Sequence, residues 1–130
     1  MSRLALVAAL ALALPTLALA AGGRPQLQTY FQSSLSNATY SQKTFARVAR
    51  TWVQPSAKQV PTVGKKAIVQ AVLGPDGKLV SSQVLMESGS KAWDAAALAA
   101  VKKAAPFDPL PAGTLAPLEV HFHFAWVADK

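Results

Sequence analysis

The chain contains no cysteine. Disulfides, thiolate metal sites and a sulfur-linked lipid at the N-terminus are therefore excluded, and the fold has to hold through its apolar core alone. Acidic residues are few, with six Asp and Glu against thirteen Lys and Arg and a formal net charge of +7. Such an excess favours acidic partners through long-range attraction without naming one. The basic residues are scattered except for Lys43, Arg47 and Arg50, and no nucleic-acid-binding motif accompanies them, so nucleic acid is not an expected partner. No phosphate-cradling loop is present, because Gly74-Pro75-Asp76-Gly77 is the chemistry of a tight turn. Ser88-Gly89-Ser90 lacks the Gly-x-Ser-x-Gly frame of a nucleophile turn, and no Asp is evidently set with a His to activate a serine. An enzyme is not expected, and no cofactor is called for.

The first twenty residues stand apart from the rest. Arg3 is followed by an uncharged Leu/Ala-rich run from Leu4 to Leu14, then Pro15, and Ala18-Leu19-Ala20 has the small-x-small pattern of a cleavage site. The reading is a secretory signal over residues 1–20, cut after Ala20. An uncleaved anchor is the competing reading, since the apolar run is near the lower limit for spanning a bilayer. Export places the mature chain in the periplasm with no stable membrane anchor. Residues 21–36 are rich in Gly, Gln and Ser and read as a flexible N-terminal arm. Residues 37–130 then form one domain.

Within that domain the hydrophobic period changes three times. From Asn37 to Val53 the positions of Tyr40, Phe45, Val48, Ala49 and Trp52 fit one face of a helix, with Lys43, Arg47 and Arg50 opposite as a solvated surface. Asn37 or Ser41 caps its start, and Gln54-Pro55 stops it. Val63 to Leu73 alternates, with Val63, Ala67, Val69, Ala71 and Leu73 inward. After the Gly-Pro-Asp-Gly turn, Leu79 to Met86 alternates again, with Val80, Val84 and Met86 inward. This is a hairpin.

Ser90 caps a second helix, with Asp94 in its first turn and Lys102 and Lys103 in its last. Trp93, Ala97, Ala100, Val101 and Ala104 form a narrow stripe of mostly small side chains. Pro106, Pro109 and Pro111 enforce an extended exit. In the last segment, Ala116 to Val127, Leu118, Val120, Phe122, Phe124 and Trp126 share one face, while Glu119, His121, His123 and Ala125 share the other. Helix, hairpin, helix and strand pack most simply as a two-layer α+β domain: a three-stranded antiparallel sheet with two helices on one face.

The stretch from Ser88 to Pro111 carries a family signature. Ser88-Gly89, then Trp93-Asp94 with Ala96 and Ala97, then Pro106-Phe107-x-Pro109-x-Pro111 follow a hairpin tipped by Asp76-Gly77. Together with the final apolar strand this resembles the C-terminal domain of TonB and the related TolA domain, over Thr51 to Val127. Trp93 stands where that family usually has Leu.

The resemblance implies a periplasmic protein-interaction module that binds extended segments of envelope proteins by β-augmentation, such as TonB-box-like segments of outer-membrane transporters or Tol-system peptides. It also implies that the last strand is a sheet edge, so that Glu119, His121, His123 and Ala125 flank the added peptide. The same edge offers a route to a homodimer. The short Gln/Ser arm differs from the long Pro-rich spacer of TonB, which argues against force transmission across the periplasm. Two alternatives stay open: a secreted structural or inhibitory protein of the same fold without peptide binding, and a His-based metal carrier using His121 and His123. The latter lacks a third converging ligand beyond Glu119.

Overall fold

A computed structural model describes residues 22–31 and 37–129. The segment read as a signal lies outside the described residues. Among them the order is strand β1 (Gly23–Phe31), helix α1 (Ala38–Thr51), strand β2 (Lys66–Leu73), strand β3 (Leu79–Met86), helix α2 (Lys91–Ala104) and strand β4 (Leu118–Ala128). The sheet is antiparallel throughout, with strand order β1-β4-β2-β3.

Two expectations are corrected by this order. The sheet has four strands rather than three, because residues 23–31 of the presumed flexible arm form β1. The last strand, expected at an edge, lies between β1 and β2. The physical reason is in β1 itself. Pro25, Leu27, Thr29 and Phe31 alternate with Gln26, Gln28 and Tyr30, and the first set shares a face with Trp126, Phe124, Phe122 and Val120 of β4. Leu27 and Phe31 pack against the core. Pro25, which cannot donate a ladder hydrogen bond, is tolerated because β1 is an outer strand.

The helices form where capping and periodicity require them. Asn37 Oδ1 accepts from Tyr40 N at 2.8 Å, and Ser90 Oγ accepts from Trp93 N at 3.1 Å. The Asp94 carboxylate accepts from Ser88 N at 2.9 Å, closing the turn ahead of α2. Helix α1 covers the β1 side of the sheet and α2 covers β2 and β3.

The core is one continuous cluster between the layers. Leu118, Val120, Phe122, Phe124 and Trp126 of β4 face it, as do Ala67, Val69, Ala71 and Leu73 of β2 and the whole Trp93, Ala97, Ala100, Val101, Ala104 stripe of α2. Each large side chain removed from water in this way contributes about 1.5–3 kcal/mol. Trp93 sits at the centre. Its ring meets Trp52 and Trp126 edge to face, at 5.3 and 5.8 Å between centroids, and its Nε1 donates to the Phe124 carbonyl at 2.9 Å. The small residues on the same helix face leave room for that indole.

Strand β3 departs from strict alternation. Register shifts against β2 lie between Ile68 and Val69 and between Val72 and Leu73. Val84 faces inward opposite Val69, but Val80 is 65% exposed and Met86 is 49% exposed, contrary to their expected inward orientation. Such bulges twist an outer strand and make it a poor template for further pairing. Val63 precedes β2 and is also exposed. On α1, Thr44 takes a buried position beside Tyr40 and Val48, while Phe45 and Ala49 are only half-buried.

The proline-rich exit is pinned by the hairpin tip. Gly77, at φ +85°, offers its carbonyl to Phe107 N at 2.9 Å, and the Pro75 carbonyl accepts from Leu110 N at 3.0 Å. Phe107 is buried and stacks on Phe122. The basic side of α1 is not simply solvated. Arg47 Nη2 lies 3.3 Å from Asp108 Oδ1 and Lys43 Nζ lies 3.8 Å from Asp108 Oδ2, so both side chains tie the helix to this exit.

Candidate functional site: the outer side of strand β4

Alternation along β4 sends Glu119, His121, His123 and Ala125 to the face of the sheet away from the helices. The structure therefore brings the four expected side chains into one row. It does not leave them beside a free edge. On one side β4 pairs with β1 in an unbroken register from Gly23↔Ala128 to Phe31↔Val120, and on the other with β2 from Lys66↔Ala125 to Leu73↔Leu118.

Neighbours the sequence reading missed complete this face. From β1 come Gln26, Gln28 and Tyr30, in register with Ala125, His123 and His121. From β2 come Ile68, Gln70 and Val72, in register with His123, His121 and Glu119. A chain of polar contacts crosses three strands. Gln83 Nε2 donates to Gln70 Oε1 at 2.8 Å, Gln70 Nε2 donates to Glu119 Oε2, and the same oxygen lies 2.7 Å from His121 Nε2. The His121 contact, followed by that of Gln70, holds the Glu119 carboxyl below the usual carboxylate range.

His123 has a different environment. Tyr30 leans over its ring at 4.5 Å between centroids. Burial, then the neighbouring Lys66 and His121 charges, push its pKa down, so the neutral imidazole is favoured. Its Nδ1 is buried with no hydrogen-bond partner among the described residues, as is Trp126 Nε1 near the start of β1. Ala125 is nearly buried between Gln26 and Lys66.

Metal coordination gains nothing from this arrangement. Glu119 is engaged by His121 and Gln70, and among the described residues no group of three or more His, Cys, Asp or Glu side chains converges on a metal position. Among those residues, too, no helix is long and apolar enough to cross a membrane.

The family model of the TonB C terminal matches residues 37–124. The chain belongs to the TonB C-terminal family. No curated protein and no solved structure matches it. Membership gives the chain an envelope-associated role in protein interaction. The match begins at Asn37, the cap of α1, and leaves β1 outside. The matched residues include α1, β2, β3, α2 and β4 as far as Phe124.

Proposed function

We propose that the chain is a periplasmic interaction module that takes an extended segment of an envelope protein as an added strand on the outer side of β4, with Glu119, His121, His123 and Ala125 on the flanking face. The segments it fits are those of outer-membrane transporters or Tol-system partners that reach the periplasm in extended form. Backbone hydrogen bonds supply affinity in this mode, and alternate side chains supply selectivity. One observation carries the reading: a complete nine-residue strand from outside the family-matched region is added, antiparallel and in register, to the outer side of β4. Export by residues 1–20 fits the same compartment.

The test is an amide-resolved titration of the full chain, and of a Leu27→Asp variant that weakens β1, with synthetic peptides of such envelope segments. Shifts concentrated on residues 118–128 are expected. If saturating peptides leave those amides unmoved in both proteins, the reading fails. That same β1 pairing also favours a second reading, in which β1 permanently closes the sheet and the chain is a structural or inhibitory protein. Under it the two proteins respond alike to every peptide. A homodimer that exchanges β1 between copies would show as a concentration-dependent rise in mass.

A further inference from the structure

We infer that β1 is a displaceable internal ligand of the β4 site, and that its sequence states the rule by which that site selects its partners. This rests on the proposed strand-addition function and deepens it. Three features of β1 support the inference.

The first is its shallow attachment. None of the buried hydrophobic side chains of the core comes from β1, whereas β2 and β4 each supply several. Leu27 and Phe31 pack against the cluster from its margin, and Arg24, Gln28 and Tyr30 are exposed. The strand is held by its ladder with β4, those two apolar contacts and the helix α1 above it. A segment with few buried apolar contacts opens at lower free energy than the core around it.

The second is imperfect complementarity. Two polar atoms of β4, His123 Nδ1 and Trp126 Nε1, are buried with no hydrogen-bond partner among the described residues, and both belong to residues paired with β1, opposite Gln28 and Pro25. Orphaned polar atoms at an interface weaken it. A competing strand that supplies an acceptor to the Trp126 indole, or a partner to the His123 ring, gains contacts that β1 does not make.

The third is a readable pattern. Inward positions take Pro25, Leu27, Thr29 and Phe31 against Trp126, Phe124, Phe122 and Val120. Outward positions take amides and an aromatic, with the Tyr30 ring tilted against His123. At the start stands Gly23, where any Cβ would overlap the Trp126 indole and the Val127 carbonyl. The partner this groove fits is an extended segment that opens on glycine, alternates apolar with polar residues, and carries an aromatic residue to cover His123.

Because β1 is tethered, an incoming segment competes with an effective concentration on the order of millimolar. Apparent affinity is then reduced by the fraction of time the groove stands open.

The test uses a labelled synthetic peptide with the sequence of Gly23–Phe31, added to the full chain and to its Leu27→Asp and Gly23→Val variants. Leu27→Asp sets a charge against Phe124, and Gly23→Val lifts the strand at its first residue. Either variant should bind the peptide at least about tenfold more tightly than the unaltered chain, with amide shifts on β4 and none on α2. A peptide carrying Asp at the Leu27 position should not bind. A folded variant that takes up no peptide on β4, or takes it no better than the unaltered chain, overturns the inference, as does loss of the fold in both variants. If the β1 peptide binds while envelope segments do not, the internal ligand stands and the proposed envelope function fails.

Discussion

Replacing Trp93 by the leucine usual in the family should lower stability by about 2 kcal/mol, and replacing it by alanine by about 4 kcal/mol. Trp93 is fully buried at the junction of α2, β4 and the end of α1. Truncation to Ala removes the whole indole, for which about 3–5 kcal/mol is typical, and the small neighbours Ala97 and Ala100 have no side chain that could swing into the space. Leucine refills part of the volume. It forfeits two edge-to-face contacts, worth about 0.5–1.5 kcal/mol each, and the hydrogen bond to the Phe124 carbonyl. Urea unfolding followed by far-UV circular dichroism measures both changes, and the leucine variant should melt roughly 8–16 °C lower. If Trp93→Leu unfolds within about 0.5 kcal/mol of the unaltered chain, the indole is not the keystone inferred from its packing.

Gly77→Val combines a left-handed φ with a collision against the Phe107 carbonyl, so it should cost roughly 2 kcal/mol or more and loosen Phe107 to Leu110, seen as faster amide exchange there. Arg47→Ala breaks a contact that is 38% exposed on each side, so its cost should stay under about 1 kcal/mol in the same urea assay and fall further with added salt. The His123 ring, followed by NMR, should titrate below the ordinary histidine range, and in Leu27→Asp its pKa should rise towards that range as Tyr30 lifts away. A histidine depressed in the folded state binds fewer protons there than in the unfolded chain. Its contribution is therefore intact above the ordinary histidine pKa and is lost as pH falls through the depressed one. Glu119 acts in the same direction at lower pH. His121→Ala should move its titration back up towards the usual carboxylate value.

The family, both helices and the inward faces of β2 and β4 were legible because their periods are strong and capping residues stand at the helix starts, although only the structure decides for Asn37 over Ser41. The Trp93 stripe and the Leu118 to Trp126 alternation appear in the structure as the sequence implies. Strand β1 was not legible for a physical reason. Its alternation is real, but two of its four inward positions are Pro25 and Thr29, which carry little hydrophobic signal, and its outward positions include two glutamines that read as arm. The strand exists because β4 offers an in-register template. Tertiary pairing of that kind leaves only the faint period of two in the sequence. The position of β4 followed from the same omission, since without β1 it would be an edge. On β3, Val80 and Met86 were misassigned because each lies at one of the two register shifts against β2, where the facing reverses, and nothing local announces where those shifts fall. Glu119, His121, His123 and Ala125 do share one face, whereas the glutamines and Tyr30 that surround them come from strands far away in sequence.

Native-state hydrogen exchange on the full chain reads the stability of β1 without any ligand or substitution. If the outer side of β4 is an exchangeable strand site, the amides joining β1 to β4 open well before those joining β4 to β2, at a free energy clearly below global unfolding. Exchange of both sets only through global unfolding would make β1 an inseparable part of the fold and rule out strand exchange on β4.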